Sequence, residues 1–541
     1  MPRRSFWAWG METDEPTLAH LQETANQLSS RYGIDVAAPE PLKPAGLALR
    51  APRISLSDDL ADDLRDICSV DDWDRAYHTY GRSYPDRIRA FRGEFPSPPD
   101  VVARPRKEED IERLLEWCTI RGYHAIPFGG GSSVVSGFEP EADAEGVVTI
   151  DMERLDQILE VDEVSRAARI QAGVYGPALD SQLRPYGLTM RHFPQSFEYS
   201  TLGGWLATRS GGHYATNHTR IDDFAESIRM ISPSGVWESL RLPGSGAGPS
   251  PDRMVLGSEG TLGIITEAWM RVQARPEYRA SAGVYFERYE DAWQAARNIA
   301  QAKLWPANLR LLDPVEGELA AGMDGRQSLL VIGFESSDLP QGANLRSAVA
   351  IARESGGRVS DDELMISDEG GRGPNTGAGW PGPVGAWRES FIRAPYAMNA
   401  TIPLGLVHDT FETAITWDRW PGLDESVRAA VQEALERVCG GGTVSCRFTH
   451  VYPDGPAPYY TFIGMGRRGA EIEAWSEIKR VASDAVAAAG GTITHHHAVG
   501  KLHRPWYDRQ RPDLFAESLR AAKRVLDPAG ILNPGVLIDP L

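Results

Sequence analysis

Apolar positions between residues 98 and 277 alternate between strand-like and helix-like spacing. Val101-Val102-Ala103 predicts a short strand. Apolar residues then recur at the i, i+3, i+4, i+7 spacing of one helix face, at Ile111, Leu114, Leu115 and Cys118. Further strands are predicted at 125–128, 147–150 and 168–172, and a helix is expected to begin at Pro177 with Leu179 and Leu183 facing inward. The pattern therefore predicts a regular domain in which strands and helices alternate.

The pattern changes near residue 278. Helices are predicted at 289–303 and 424–439, and a strand at 328–333, which indicates a second α+β domain over 278–500. Within it, residues 369–385 are rich in Gly and Pro and predict an irregular loop. Residues 1–97 are predicted to form a mostly helical N-terminal segment. Residues 501–541 form a C-terminal segment with a helix at 513–526.

Composition narrows the class of protein. The chain has 541 residues, 42% of them hydrophobic and 24% charged, as in ordinary globular proteins. A net charge of −19 argues against nucleic acid and anionic membrane surfaces as bulk partners. The four scattered cysteines lack metal-site spacing and predict reduced thiols in a cytoplasmic protein. The sequence shows neither a signal peptide nor a membrane span, which leaves peripheral membrane contact open.

Three segments rich in Gly, Ser and Thr are candidate ligand loops. The first follows the predicted strand at 125–128, and glycine there lets backbone N–H groups converge on an anion. Alone it could equally be a surface hairpin, and it matches neither Gly-x-Gly-x-x-Gly nor the Lys-Ser/Thr phosphate loop. Three such loops within 140 residues suit one extended ligand that carries a pyrophosphate. The candidate cofactor-binding residues are Pro127, Gly129, Gly130, Gly131, Ser132, Ser133, Ser200, Thr201, Gly203, Gly204, Thr208, Ser258, Glu259, Gly260, Thr261 and Ile264.

A run of three histidines, His495-His496-His497, is the strongest chemical signal in the C-terminal half. The preceding β-branched residues 492–494 predict a strand, which would place His495 and His497 on one side and His496 on the other. Imidazoles that titrate near neutral pH suit metal binding, acid–base work or anion binding. Ordinary hydrogen-bonded histidines at a polar strand end are the alternative.

The order of the three loops resembles the flavin-binding domain of the p-cresol methylhydroxylase and vanillyl-alcohol oxidase superfamily. The resemblance implies an α+β fold: a two-subdomain FAD-binding domain of the p-cresol methylhydroxylase type at 98–277, and an α+β substrate domain, or cap, with an antiparallel sheet at 278–500. The C-terminal segment 501–541 would return to the FAD domain. The first loop has no histidine, so the resemblance implies non-covalent FAD. His213, in the second segment, could still touch the flavin.

One branch of this superfamily contains the D-2-hydroxyacid dehydrogenases, whose histidines and glutamate hold a divalent metal. The cognate segments here begin at His450 and at His496. Tyr459 stands where that branch has its second histidine, and His496 stands where it has the glutamate. A phenol is a poor ligand for a hard divalent ion, so no metal is expected.

The second branch, the alkyl-dihydroxyacetonephosphate synthase family, is similar over nearly the whole chain. Its His-His-His-Gly-Val-Gly-Lys-Leu resembles 495–502, and its Cys-Arg-x-Thr with a tyrosine twelve residues after the arginine resembles 446–449 with Tyr459. Its Pro-Ala-Ser-Ile-Arg-Leu-Met-Asp and Phe-Glu-Thr-x-x-x-Trp-Asp-Arg segments resemble 306–313 and 411–419. The resemblance implies exchange of an acyl group for a fatty alcohol on a dihydroxyacetone phosphate-type substrate, through an adduct at flavin N5, in ether lipid biosynthesis.

By this resemblance Tyr459 is the acid–base group. The residues that supply charge or hydrogen bonds to a phosphate and a leaving carboxylate are His495, His496, His497 and Arg310. The alternatives are an aromatic strand residue for Tyr459 and a structural salt bridge for Arg310. Arg447 is a further candidate substrate-binding residue.

One departure concerns the substrate. The family has a substrate-binding arginine in Tyr-x-Arg-Asp, but this chain reads Tyr396-Ala397-Met398-Asn399. Met398 is uncharged, and Arg393, five residues earlier, is the candidate replacement. The sequence thus predicts an FAD-dependent enzyme of this family whose native substrate has diverged. It would be a cytoplasmic homodimer acting on a small, lipid-like molecule. An FAD-linked oxidase or dehydrogenase of a hydroxylated or 2-hydroxyacid substrate is the alternative, and a non-catalytic flavin-binding protein is a third class.

Overall fold

The N-terminal residues wrap against the rest of the molecule. The computed structural model describes residues 3–32, 36, 47–56, 60–213, 220–367 and 382–539. Trp7 and Trp9 are almost fully buried. The elements of this region are α1 (Leu18–Tyr32), α2 (Asp62–Arg65), β1 (Cys68–Ser69), α3 (Asp72–Tyr77) and α4 (Tyr84–Phe91). Ser83 caps α4, since its hydroxyl accepts the Asp86 N–H and a proline stands in the first turn.

Two small sheets build the next part of the chain. Its elements are β2 (Val101–Ala103), α5 (Glu108–Arg121), β3 (His124–Phe128), β4 (Val147–Asp151), β5 (Ile158–Asp162), β6 (Ala167–Gln171), α6 (Gly176–Leu183), β7 (Leu188–Thr189), α7 (Leu202–Thr208), β8 (Ala225–Ser232), β9 (Gly235–Glu238), α8 (Pro251–Val255), β10 (Ile264–Arg271) and β11 (Gln273–Ala274). The first sheet has the order β1-β2-β4-β3, and the second, antiparallel sheet has the order β5-β6-β10-β8-β9. In the first sheet β2, β4 and β3 run parallel and are buried, as such strands require.

A seven-stranded antiparallel sheet dominates the C-terminal half, in the order β15-β12-β14-β13-β17-β18-β16. The elements are β12 (Tyr278–Phe286), α9 (Tyr289–Gln301), β13 (Asn308–Leu312), α10 (Pro314–Ala321), β14 (Ser328–Ser336), α11 (Gly342–Glu354), β15 (Met365–Ser367), α12 (Gly382–Thr401), β16 (Leu406–Glu412), α13 (Trp420–Cys439), β17 (Gly442–Val451), β18 (Pro456–Met465) and α14 (Glu471–Ala489). Helices α9, α11, α13 and α14 cover one face with a large apolar core. The opposite face packs partly against α10 and α12 and is partly left open to a cavity.

The C-terminal residues contact the first sheet. They contain α15 (Arg504–Gln510) and α16 (Asp513–Leu526). Leu532, beyond α16, forms a parallel bridge with Ala125. Within α16, the buried Lys523 ammonium donates to the Thr261 carbonyl at 2.7 Å.

Within the described residues no helix is long and apolar enough to cross a bilayer. All four cysteines are free thiols.

Most of the predicted elements are present. The strands near 101, 125, 147, 168 and 328, the helices near 111 and 177 and the helix at 513–526 all form, and the predicted helices at 289–303 and 424–439 are Tyr289–Gln301 and Trp420–Cys439. Residues 382–385, expected in a loop, begin a helix, and the rest of that predicted loop, 369–381, lies outside the described residues.

The strand predicted through Thr492–His497 is wrong. This segment is a series of bends, because its backbone N–H groups turn toward one buried carboxylate instead of a neighbouring strand.

Candidate active site

A single cavity of about 490 Å³ lies between the three glycine-containing loops and the open face of the seven-stranded sheet. Most of the residues singled out in the sequence meet there. They are Pro127, Gly129, Gly130, Gly131, Ser132, Ser133, Ser200, Thr201, Gly203, Gly204, Thr208, Glu259, Gly260, Ile264, Arg310, Met398, Arg447, Tyr459, His496 and His497. Ser258, Thr261, His495 and Arg393 are not part of the lining.

The first two loops approach each other so closely that only glycine fits between them. A Cβ on Gly130 would lie 1.9 Å from the Tyr199 carbonyl oxygen, and a Cβ on Gly129 would lie 2.3 Å from the Thr201 hydroxyl. Gly131 has φ +67°, a left-handed conformation that favours glycine. The result is a narrow wall of bare backbone, the type of surface that a dinucleotide pyrophosphate requires.

The third loop is shaped by its own residues. The Thr261 hydroxyl donates to the Ser258 carbonyl at 2.7 Å, which explains why these two residues stay behind the lining.

The Glu259 carboxylate accepts the backbone N–H groups of Val499 and Gly500 at 2.9 and 2.8 Å. Burial raises the pKa of Glu259 to about 7. Glu259 therefore connects the loop predicted to bind FAD with the segment that follows the histidines.

Strand alternation brings the predicted catalytic side chains to the cavity face of the sheet. On β13, Leu309 and Leu311 point into the helix-covered core, so Arg310 points the other way. Arg447 on β17 pairs in register with Tyr459 on β18, and both line the cavity. β13 and the consecutive strands β17 and β18 thus present one polar patch, although β13 is distant from the other two in sequence.

Tyr459 has two neighbours that position its phenol. Its hydroxyl lies 3.0 Å from the Thr410 hydroxyl, and the Arg447 guanidinium lies 4.1 Å from its ring centroid. Burial raises the pKa of Tyr459, while Arg447 and Thr410 oppose the rise. The phenol therefore carries its proton at neutral pH, in contact with a cation that would stabilise a phenolate.

The two arginines of the patch, Arg447 and Arg310, differ in their hydrogen-bond partners. Arg447 donates to the Glu316 carboxylate at 2.6 Å. Arg310 donates instead to the His213 carbonyl at 2.7 Å and has no carboxylate partner within the described part of the chain. Burial, followed by the charge of Arg447, lowers the pKa of Arg310 to about 9. Arg310 is thus a buried cation available to an anion, and the salt-bridge alternative does not hold for it.

Glu412 organises the three histidines, and the sequence reasoning did not select it as a site residue. Its carboxylate accepts the backbone N–H groups of His495, His496 and His497 at 2.6, 3.1 and 3.0 Å, and the Thr494 hydroxyl at 2.6 Å. The available signal was its position within the segment 411–419, which resembles a motif of the family. Bending around Glu412 places His496 and His497 together in the cavity wall, although a strand would have separated them.

The protonation states of this group follow from burial. Burial opposes ionisation of Glu412, but the surrounding histidines and the Thr494 hydroxyl hold its pKa well below the usual range. Burial lowers the pKa of His495 and of His496 to about 4 and that of His497 to about 3, although Glu412 opposes the change. At neutral pH the Glu412 carboxylate is therefore ionised, and the imidazoles around it are neutral.

His450 joins this group and forms, with His495 and His496, a set whose ligand atoms lie within 4.8 Å of one another. Several of the ring nitrogens already have partners. His450 Nε2 donates to the Gly212 carbonyl at 3.0 Å, His495 Nε2 lies 2.6 Å from the Tyr452 hydroxyl, and the Nδ1 atoms of His495 and His496 are 3.0 Å apart. His495 and His496 are thus joined by a hydrogen bond, whereas His450 only contacts the His495 ring, with the two ring centroids 4.8 Å apart.

The candidate substrate residues on α12 are placed differently. Met398 lines the cavity. Arg393 is exposed, with its guanidinium 5.9 Å from the Tyr396 ring centroid, and does not line the cavity. His213 also lines the cavity, with its Nε2 atom 3.1 Å from the Asn308 amide nitrogen.

Comparisons with known proteins agree with this arrangement. Residues 99–241 match the FAD binding domain family, and residues 275–537 match the C-terminal domain of FAD linked oxidases. Alkyldihydroxyacetonephosphate synthase of Dictyostelium discoideum is 32% identical over 89% of this chain and 79% of its own length. That of Trypanosoma brucei brucei is 29% identical over 90% and 82%. A solved structure of alkyldihydroxyacetonephosphate synthase superposes with a TM-score of 0.79 at 26% identity over 98% of both chains.

More distant structures share the fold alone. p-Cresol methylhydroxylase superposes with a TM-score of 0.64 at 14% identity, over 88% of this chain and 94% of the other. The fold and the glycine-walled cavity therefore define an FAD-dependent enzyme with a p-cresol methylhydroxylase-type flavin domain. Within that class, the chain belongs to the alkyldihydroxyacetonephosphate synthase family.

Proposed function

We propose that this protein exchanges the acyl group of an acyl-dihydroxyacetone phosphate-type substrate for a fatty alcohol. The observation that carries the proposal is the single cavity, in which the predicted FAD loops face Tyr459, Arg310 and the histidines without an intervening wall. In the reaction the ester oxygen leaves with its acyl group as a carboxylic acid. The alcohol oxygen forms the new ether bond, and its proton leaves with the acid, so there is no net oxidation.

FAD, when bound, supplies the electrophilic ring that this chemistry needs, and the glycine wall of 129–131 with residues 200–204 would hold it. Tyr459 holds or moves a proton at its phenol oxygen, and Thr410 fixes the direction of that atom. Arg310 attracts the leaving carboxylate, because its charge is buried and no carboxylate of the described residues pairs with it. Neutral His496 and His497, whose rings lie beside that of Tyr459, offer further hydrogen bonds.

The test uses the FAD-loaded full chain with acyl-dihydroxyacetone phosphate and a radiolabelled long-chain alcohol. We expect label in an ether-linked product and release of free fatty acid in equal amounts, without oxygen consumption. Release of fatty acid with no labelled ether would contradict the proposal. The Tyr459→Phe protein should bind FAD normally and lack the exchange.

A second candidate is supported by the histidine cluster of His450, His495 and His496, whose spacing would admit a metal ion. Relatives also include glycolate oxidase subunit GlcD of Bacillus subtilis, 26% identical over 82% of this chain. An oxidoreductase would be revealed if 2-hydroxyacids bleached the flavin absorbance and a dye or oxygen restored it.

Three further properties are proposed with the function. FAD is held non-covalently, so acid precipitation should release all yellow colour into the supernatant. The protein is a homodimer, which light scattering would test. It resides in the cytoplasm, where fractionation should find it, and any peripheral membrane contact would appear as salt-sensitive sedimentation with vesicles.

A further inference from the structure

The end of the cavity beside Met398 contains a further buried arginine, Arg87, which no sequence motif indicated. Arg87 lies on α4, and its side chain lines the cavity. The guanidinium donates to the Trp7 carbonyl at 3.3 Å, to the Pro395 carbonyl at 3.5 Å and to the Asn399 side-chain oxygen. Pro395 and Asn399 stand one turn apart on α12 and flank Met398. The Arg87 guanidinium therefore lies beside Met398, a residue whose side chain carries no charge.

The charge of Arg87 is not balanced within the protein. Arg87 is 2% exposed, and no carboxylate of the described residues forms an ion pair with it. Asp409 acts on it only through space, since that carboxylate accepts the Trp475 indole N–H at 2.7 Å and lies 3.6 Å from the Lys479 ammonium. By contrast, Arg89 on the same helix pairs with Glu139 at 2.6 Å. A buried cation without a counter-ion is costly, unless a ligand anion balances it.

His408 lies next to Arg87 and also lines the cavity. It belongs to β16, and its Nδ1 atom is 3.3 Å from the Thr401 hydroxyl. Thr401 follows Met398 by three residues on α12 and so shares its helix face. No group of the described residues bonds His408 Nε2. Burial lowers the pKa of His408 to about 4, and Arg87 contributes to the decrease. The imidazole is therefore neutral and can donate a hydrogen bond to an anion.

We propose that Arg87 and His408 form the subsite that binds the anionic head of the substrate, in place of an arginine at position 398. The inference rests on the proposed function and specifies its substrate class, a molecule with a phosphate-type dianion at the end opposite the reacting carbon. The arginine comes from α4 instead of α12, so the substrate retains its charge although the motif has lost its cation. Arg393 has no part in this subsite, because it is exposed on the outer side of the helix.

The experiment measures binding to the FAD-loaded full chain through perturbation of the flavin spectrum. The two ligands are acyl-dihydroxyacetone phosphate and the uncharged acyl-dihydroxyacetone. We expect the parent to prefer the phosphate ester at least about tenfold. Arg87→Gln should weaken phosphate-ester binding about tenfold or more and leave the uncharged ligand within about twofold. Arg89→Gln is the matched control and should change neither ligand.

A rescue distinguishes binding from a structural role. Adding Met398→Arg to the Arg87→Gln protein should restore most of the preference for the phosphate ester, which a packing defect would not allow. Equal weakening of both ligands by Arg87→Gln, or a parent that prefers the uncharged ligand, overturns the inference and leaves the exchange reaction standing. If neither ligand perturbs the flavin while 2-hydroxyacids bleach it, both the inference and the proposed function fail.

A second variant covers the case in which Arg87→Gln does not fold. His408→Ala removes one hydrogen bond from the subsite and should weaken the phosphate ester about fivefold without changing the uncharged ligand. His408→Gln, which keeps a neutral donor, should recover part of that loss. If His408→Ala leaves the phosphate ester unchanged, His408 is not part of the subsite, and the proposal as stated is wrong.

Discussion

Replacing Glu412 by glutamine should disturb the histidine segment more than any other single change in the catalytic wall. The buried carboxylate accepts three backbone N–H groups and one hydroxyl at 2.6–3.1 Å, and the segment it holds has no regular secondary structure. Hydrogen bonds to a charged acceptor contribute about 1.5–3 kcal/mol each. Glutamine keeps one acceptor oxygen but turns an NH₂ group toward the donors. We therefore expect a loss of about 2–4 kcal/mol in the free energy of unfolding.

The same change should reduce the catalytic rate, because small displacements of reacting groups cost about 100-fold. Urea denaturation at pH 7 measures the stability, and the exchange assay at saturating FAD measures the rate. Glu363→Gln is the matched control, since that exposed carboxylate accepts only from Ser360 and should contribute about 0.5 kcal/mol or less. If Glu412→Gln matched this control in both assays, the view of Glu412 as the organiser of the segment would be refuted.

The pH dependence of this contribution has a definite sign. The folded-state pKa of Glu412 lies well below its unfolded value, so its stabilisation is fully present above the unfolded pKa near 4.3. It is lost only as the pH falls through the lower folded pKa. The stability difference between the parent and Glu412→Gln should therefore stay constant from pH 6 to pH 8 and shrink in acid.

Four other outcomes are expected. Tyr459→Phe should lower exchange activity about 100-fold or more with an unchanged FAD content, read as the ratio of flavin to protein absorbance. Gly130→Ala should prevent FAD loading, because its Cβ has no room, whereas Gly422→Ala, with open space around it, should load normally. Activity should fall toward pH 4 as His495–His497, with pKa values of about 3 to 4, take up protons and lose their neutral form. Dialysis against EDTA should leave activity unchanged, and a loss restored by Zn²⁺ would establish a metal at the histidine cluster.

The prediction of the elements was most successful where a local pattern suffices. Helix α5 has the apolar face that its spacing indicates, and β3, β4 and β6 lie within a residue or two of the predicted runs. The FAD-binding type of domain was also predicted correctly, through the order of three glycine loops. Such signals survive without tertiary information because each depends on residues close together in the chain.

The prediction failed where distant residues control a short segment. The β-branched residues before His495 favour a strand, but Glu412, 83 residues earlier, captures the N–H groups that a strand partner would need. Likewise, Arg393 was the natural replacement for Met398 because it is near in sequence. The helix instead directs Arg393 outward, and Arg87 reaches the site from more than 300 residues away. Sequence distance carries no information about such contacts.

The sequence by itself determined the class of enzyme, the cofactor and 20 of the cavity-lining residues, since glycine loops and short motifs encode local backbone geometry. Only the tertiary structure decided how the histidines are held, which cation stands next to Met398 and which charges have no partner among the described residues. The physical reason is that burial and charge pairing are properties of side chains brought together by the whole fold. In this protein the polar groups that line the cavity come from α4, β13, β16, β17, β18 and the loop at 496–497, among other elements.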